Sequence, residues 1–192
     1  AATGLAGLVI GTLFVRRQKR LPEPLIDLTL FRIPAFSASL LVNLGGVCVI
    51  FGIFLFQNQY LQLVLGFTPL EAALWSIPPS LVFTVMSLQA WRVTTRFGAV
   101  PTVVWGLLVH ALGAAAMALA AWSGSLAGVL AASAVIGLGF VPVVLTTTGL
   151  IVGAAPPERA GAASAISETG PELGGAMGGA LLGSLGTLVY RI

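Results

Sequence analysis

Long apolar stretches separated by short polar breaks run along most of this chain. Five of them reach the roughly 20 residues that a helix needs to cross a membrane. The predicted spans cover residues 35–57, 70–89, 100–121, 126–152 and 162–190. Residues 1–15 are also apolar but too few to cross, so they are predicted to be a partial transmembrane helix. The pattern predicts an all-α polytopic membrane protein with about five full transmembrane helices and one partial helix.

The composition supports a membrane protein and argues against other classes. Of 192 residues, 57% are hydrophobic and 8% are charged, whereas soluble domains usually carry about 25% charged residues. The single cysteine, Cys48, has no partner for a disulfide. The sequence has no phosphate-binding loop, no metal-ligand spacing and no nucleophile elbow. We therefore expect no enzyme, metal site, cofactor or nucleic-acid partner, and a lipid bilayer as the surroundings.

The basic residues indicate which loops face the cytoplasm. Residues 16–34 are predicted to be a basic loop with a short interfacial segment, and Trp91–Gly98 a short basic turn. Alternate loops hold eight of the nine Lys and Arg residues: Arg16, Arg17, Lys19, Arg20, Arg32, Arg92, Arg96 and Arg159. By the positive-inside rule these loops are cytoplasmic. The last span then runs outward from the cytoplasm.

Two acids, Glu168 and Glu172, lie within that last span. A carboxylate near the middle of a bilayer costs about 3 kcal/mol on insertion scales, so two on one helix require a reason. At four residues apart they share one face, which must meet protein or water rather than lipid. The same sector holds three glycines predicted to let helices pack closely: Gly175, Gly179 and Gly183. The alternative is that both acids face a water-filled cytoplasmic vestibule near the start of the helix and help folding or insertion.

Prolines interrupt three of the predicted spans. Pro171 lies between the two acids in the span 162–190, Pro78 and Pro79 lie near the middle of the span 70–89, and Pro142 lies in the span 126–152. A proline removes one helical amide and clashes with the preceding turn, so each site is predicted to be a conformational kink. Tolerated bends in a helix bundle are the alternative.

Other polar residues within the spans are candidates for lining a substrate cavity. They are Asn43, Gln57, Thr146, Thr147 and Thr148. The alternative, which the sequence favours equally, is that they form hydrogen bonds between helices, worth about 0.6 kcal/mol per bond. His110, at the centre of its span, is predicted to be a packing residue rather than a proton relay.

Three phrases of the sequence resemble the major facilitator superfamily, in particular its fourteen-helix branch of multidrug and quaternary-ammonium proton antiporters. They are PLIDLTLFRIPAFSASLLVN (24–43), QYLQLVLGFTPLEAALWSIPPS (59–80) and ERAGAASAISETGPELGGAMGGALLGSL (158–185). The resemblance implies the C-terminal half of a superfamily bundle, from a partial eighth helix to the thirteenth, in a chain taken to be a fragment. Arg96 and Gly98 resemble the family's cytoplasmic loop motif, but Thr95 stands where that motif has an acid.

The resemblance implies a secondary active exporter that exchanges protons for amphipathic, cationic drugs by alternating access. The proton motive force would drive it, with Glu168 and Glu172 as the proton-coupling and cation-binding residues. Its partners would be small amphipathic or cationic substrates and the missing N-terminal half of the polypeptide. The bias toward alanine, glycine and arginine indicates a bacterial source, hence the plasma (inner) membrane. The alternatives are a metabolite facilitator or uptake carrier of this fold, and a non-transporting fragment or membrane scaffold.

Overall fold

The protein is helical throughout the part that the structure describes. The computed structural model describes residues 2–18, 20–21 and 28–189, and no strand occurs among them. Within these residues the α-helices are α1 (Ala2–Gln18), α2 (Pro34–Gln59), α3 (Pro69–Trp75), α4 (Ile77–Phe97), α5 (Ala99–Trp122), α6 (Leu126–Gly153) and α7 (Ala160–Val189). A π-helical turn, Tyr60–Val64, extends α2, and 3₁₀ turns at Leu30–Arg32 and Pro157–Arg159 precede α2 and α7. The all-α prediction is confirmed.

Local sequence explains where several of these helices begin. Pro34 opens α2 after the extended residue Ile33, a position where the missing amide costs nothing. Thr68 and Glu71 form a capping box at the start of α3: Glu71 N donates to Thr68 Oγ1 at 3.3 Å, and Thr68 N donates to Glu71 Oε2 at 2.8 Å. Gly98, at a φ of 86°, is the one residue between α4 and α5. A positive φ favours glycine there.

Helix α6 is the centre of the bundle, because α2, α4 and α5 all pack against it. The contact with α5 is close: a Cβ added at Gly106 would lie 2.8 Å from the Gly139 carbonyl oxygen. Small residues let two helix backbones approach in this way. Helix α7 packs mainly on α2. The arrangement therefore places α2 in contact with both α6 and α7.

One apolar cluster fixes the end of the bundle where α7 starts and α6 finishes, which we call the inner end. Its buried members are Leu30, Phe36, Ile151, Ala163 and Ile166. They come from the first 3₁₀ turn, α2, α6 and α7. Three helices and a loop are thereby held together within about two turns of the start of α7. This cluster positions the first turns of α7, which lead to the acids.

Three helices of the described chain are long and apolar enough to cross a membrane: α2 with its π-helical turn, α5 and α6. They cover the predicted spans 35–57, 100–121 and 126–152. Helices α3 and α4 together form a fourth candidate, bent by 42°. Helix α7 is 30 residues long, but its glycines and two acids make it less apolar and it is not in this set. Its crossing therefore stays a prediction.

Several predicted boundaries are wrong. The segment Trp91–Gly98 is not a turn, because α4 continues to Phe97 and only Gly98 connects it to α5. The break in the predicted span 70–89 lies at Ser76, so Pro78 and Pro79 stand in the first turn of α4. The first turn of a helix tolerates proline because its amides have no helical partner.

The predicted loop over residues 16–34 also begins later than expected. Arg16 and Arg17 lie in the last turn of α1, where basic residues complement the helix dipole. Lys19 and residues 22–27, which include most of the predicted interfacial segment, lie outside the described residues. In α1 the described side chains before Gln18 are exposed.

Candidate functional site

Glu168 and Glu172 lie one turn apart on an exposed face of α7. Neither carboxylate makes a hydrogen bond or ion pair with the residues that the structure describes. The opposite face of α7 is buried and includes Ala163, Ser167 and Gly170. The helix continues through Pro171 without a break. The structure therefore places both acids side by side, and no other described part of the chain covers the side of α7 that carries them.

Glycines make the contact between α7 and α2, but not all of the predicted ones. A Cβ added at Gly174 would lie 2.6 Å from the Leu44 carbonyl oxygen, and one at Gly178 would collide with the Cys48 carbonyl. At 100° per residue, this seam and the acids lie on different sides of α7. The sequence pattern did not show which of two glycine stripes would meet a neighbour.

The three glycines predicted to pack behave differently from one another. A Cβ at Gly175 would come within 3.2 Å of the Phe51 ring, and one at Gly183 would be in ordinary contact with Leu55 at 3.6 Å. Gly179 is exposed, and nothing lies within 4 Å of its added Cβ. Gly179 has no neighbour to pack against within the described chain, so its packing role stays a prediction.

Asn43 forms a buried polar contact between α2 and α6. It has no exposed surface, and its Nδ2 donates to Thr147 Oγ1 at 3.1 Å and to Thr148 Oγ1 at 3.2 Å. Thr147 is also buried and donates to the Val143 carbonyl oxygen at 2.8 Å. These side chains face each other rather than an open space. Of the two alternatives for Asn43 and Thr147, the geometry favours an interhelical contact over a substrate cavity.

The remaining cavity candidates lie in two other places. The Thr146 hydroxyl is 2.7 Å from that of Thr94, which joins α6 to α4. Gln57 accepts a hydrogen bond from Ser133 Oγ at 2.8 Å, joining α2 to α6. Gln57 is fourteen residues from Asn43, or about 21 Å along the helix. The predicted cavity residues therefore divide into an inner group and Gln57, which forms an outer pair with Ser133, and do not form one site.

Gln57 also borders a small cavity at the outer end of the bundle. The cavity has a volume of about 210 Å³ and lies between α2, α5 and α6. Tyr60 lines it too, and its buried hydroxyl has no hydrogen-bond partner among the described residues. The space is large enough for ordered water, which could satisfy that hydroxyl.

The family of the chain follows from comparison with known proteins. A family model for the Major Facilitator Superfamily matches residues 1–179. This chain belongs to the major facilitator superfamily. The predicted family is confirmed, and superfamily membership agrees with the apolar helices in identifying a membrane protein.

Relatives of this chain carry names of efflux, export or resistance proteins. The chain is 37% identical, over its whole length, to the multidrug efflux pump LfrA of Mycolicibacterium smegmatis. It is 32% identical over 90% of its length to the tetracenomycin C resistance and export protein of Streptomyces glaucescens. It is 28% identical over 95% of its length to the methyl viologen resistance protein SmvA of Salmonella typhimurium. The chain spans 38%, 32% and 37% of these relatives.

The two residues that resemble the superfamily's loop motif lie on the last turn of α4 and at the residue after it. Arg96 belongs to that turn and is exposed. Its guanidinium carbon is 5.8 Å from the centre of the Phe97 ring. Gly98 supplies the positive φ that starts α5. Arg96 and Gly98 therefore lie at the α4–α5 connection, at the inner end of the bundle, and Thr95 lies on the same last turn of α4.

Sequence reasoning missed several residues that the superfamily fold brings together. Thr94, Ser133, Gly174 and Gly178 each make an interhelical contact described above. A signal existed for Gly174 and Gly178, since they follow Gly170 at four-residue intervals. Single hydroxyl residues such as Ser133 give no comparable signal, because their partners are distant in sequence.

Proposed function

We propose that this chain is the C-terminal part of a bacterial plasma-membrane transporter that exports amphipathic, cationic drugs in exchange for protons. The relatives named as efflux pumps and resistance proteins support export. Because the chain spans 38% of the multidrug efflux pump LfrA, further helices of the same polypeptide would complete the bundle. The proton motive force would be the energy source, with no cofactor.

The observation that carries the proposal is the acid pair on the uncovered face of α7. Glu168 and Glu172 are exposed in this chain, yet lie eight and twelve residues after the start of α7 at Ala160, about 12 and 18 Å along the helix. Carboxylates at that depth cannot face lipid without a large cost. The missing helices or a water-filled cavity between the two halves would cover them, which is where superfamily transporters hold substrate.

The coupling mechanism follows from competition for the carboxylates. In the conformation open to the outside, one or both acids would bind a proton. In the conformation open to the cytoplasm, an arriving cation would favour the charged form and release that proton. The two acids are one turn apart, so their protonation states would be linked. Proton entry and cation exit would then alternate at one face of α7.

The close contact between α7 and α2 fixes the position of the helix that carries the acids. Gly174 and Gly178 leave no room for a side chain against α2. Helix α2 is in turn joined to α6 by Asn43 and Gln57. A change at the acid face of α7 would therefore be transmitted to α2 and α6 as rigid units, as alternating access requires.

Gradient-driven efflux of ethidium tests the proposal. The full-length protein in inverted vesicles is compared with its Glu168→Gln and Glu172→Gln variants, which keep the side-chain shape and remove the charge. Glu158→Gln, at an exposed residue of the 3₁₀ turn before α7, is the matched control. We expect loss of gradient-dependent efflux in at least one of the first two variants and normal efflux in the control.

Two outcomes would contradict the proposal. Unchanged gradient-driven efflux in both acid variants, at equal membrane abundance, would show that proton coupling lies elsewhere in the protein. Equal ethidium movement with and without a pH gradient in the wild type would indicate a facilitator instead of an antiporter.

A further inference from the structure

One side of helix α4, together with Ser76 just before it, carries hydroxyl residues, of which only Thr94 makes a contact described above. Five hydroxyl residues and one tryptophan fall within a sector of about 80° at 100° per residue. They are Ser76, Ser80, Thr84, Ser87, Trp91 and Thr94. Ser80, Thr84, Ser87 and Trp91 are exposed. We call these six residues the hydroxyl face of α4.

The same helix has a separate apolar face that suits lipid. Ile77, Leu81, Val85 and Leu88 lie beside the hydroxyl face and are 50%, 59%, 57% and 78% exposed. A third face, which includes Pro79 and Ala90, is buried in the bundle. Because α4 already offers lipid a continuous apolar surface, its hydroxyl face is available for protein or water.

Ser87 shows most clearly that lipid is a poor neighbour for this face. It lies ten residues from each end of α4, about 15 Å along the helix. Ser80 and Thr84 donate to carbonyls one turn back, at 2.8 and 3.0 Å. The exposed Ser87 hydroxyl has no partner among the described residues. A hydroxyl without a partner is unfavourable in hydrocarbon.

A cavity opens at the inner end of the hydroxyl face. Its volume is about 440 Å³, within the range of small-molecule sites. Ser87, Trp91 and Thr94 form one wall and Thr146 lies in the opposite wall, with Leu145 nearby. The hydrogen bond between Thr94 and Thr146 closes one side at 2.7 Å. No acid lines this cavity.

We propose that this cavity is a substrate subsite for the flat aromatic part of a drug-like molecule, stacked on the Trp91 indole beside the Ser87 and Thr94 hydroxyls. The inference rests on the proposed export function and adds a recognition element to it. An indole offers a broad apolar surface that is 76% exposed here and binds aromatic rings and cations through its face. The hydroxyl face would continue as a water-exposed path along α4.

Cysteine accessibility tests the path. In a full-length protein without native cysteines, Cys48 included, Ser87→Cys is compared with Leu88→Cys, its neighbour on the apolar face. A membrane-impermeant, water-soluble methanethiosulfonate should label Ser87→Cys in inverted vesicles, and ethidium should slow that labelling. Leu88→Cys should react only after denaturation. Equal labelling of the two positions, or no labelling of Ser87→Cys before denaturation, would overturn the proposal.

Ethidium binding to purified full-length protein, without any gradient, tests the role of Trp91. Trp91→Ala should raise the Kd for ethidium about threefold to tenfold, as loss of an aromatic pair predicts. Trp91→Phe should largely restore binding, and the exposed Trp122→Ala at the end of α5 is the matched control. A Kd unchanged in Trp91→Ala, or raised equally in Trp122→Ala, would identify Trp91 as an interface anchor and overturn the subsite.

These outcomes are separate from those of the acid variants. If efflux proves independent of a proton gradient while ethidium binding still depends on Trp91, the coupling mechanism fails and the subsite stands. If the acid variants lose coupling while Trp91→Ala binds ethidium normally, the subsite fails and the exporter stands.

Discussion

Asn43 on α2 donates a hydrogen bond to Thr147 on α6 at 3.1 Å, with both side chains removed from solvent. The two residues are 104 positions apart in the chain. Thr148 accepts from the same amide at 3.2 Å. The contact joins the helix that supports α7 to the helix at the centre of the bundle. It therefore holds α2 and α6 together as one unit.

Replacing Asn43 tests the strength of that bond. Asn43→Ala should lower the free energy of unfolding by about 1–2 kcal/mol, because it removes the hydrogen bonds of the Asn43 amide to α6 and leaves a small void. Thermal unfolding of the detergent-solubilised full-length protein measures the loss. Asn58→Ala, on the same helix, is the control: Asn58 is exposed, and among the described residues its side chain bonds to the Phe54 carbonyl of its own helix alone. Equal destabilisation by both changes would contradict the structural role of Asn43.

Substitution of glycine by alanine should affect stability differently on the two glycine stripes of α7. In Gly174→Ala the new methyl group would lie 2.6 Å from the Leu44 carbonyl oxygen, so the helices must separate. We expect a loss of about 1–3 kcal/mol, as for other overpacked sites. Gly179→Ala meets nothing within 4 Å in this chain and should change unfolding by less than about 0.5 kcal/mol. Thermal unfolding of both variants measures these losses. A larger loss in Gly179→Ala than in Gly174→Ala would show that the contact between α7 and α2 is wrongly placed.

The sequence alone predicted elements that depend on local periodicity. Apolar stretches of sufficient length predicted α2, α5 and α6, and the spacing of Glu168 and Glu172 predicted their shared face. Contacts between helices could not be predicted in the same way. The rotation of 100° per residue shows which residues share one face of a helix. Which neighbouring helix covers that face depends on the whole bundle. Gly179 and Gly174 lie on different faces of α7, and only the position of α2 distinguishes them.

The break at Ser76 shows a signal that was present but given the wrong position. Pro78 and Pro79 lack the amides that would continue the preceding helix by bonding to the Leu74 and Trp75 carbonyls, while proline itself is tolerated in a first turn. Those two rules together favour a new helix starting near Pro78 over a kink inside one helix. The partners of Asn43 had no such local signal, since every threonine of α6 was an equally good acceptor until α2 was placed.

The outer pair, Gln57 and Ser133, should be coupled energetically. Ser133 Oγ lies 2.8 Å from Gln57 Oε1 and 3.0 Å from the Val129 carbonyl oxygen. A double-mutant cycle with Gln57→Leu and Ser133→Ala should give a coupling of about 0.6 kcal/mol and not more than about 1.7, the range for hydrogen bonds between membrane helices. Unfolding free energies of the four proteins supply the value. Additive effects would mean that the two side chains do not interact.

The surroundings of His110 predict a packing role, because the described residues offer its ring no group with which to exchange a proton. The side chain is buried, its ring centre lies 5.6 Å from that of Phe140, and neither ring nitrogen has a hydrogen-bond partner among the described residues. His110→Leu keeps most of the volume and removes two unsatisfied polar atoms, so stability should be equal or higher. His110→Ala should instead lower the melting temperature, because it leaves a void beside Phe140. Gradient-driven efflux by His110→Leu should keep the pH dependence of the wild type, and a shifted pH profile at normal stability would assign His110 to the proton path.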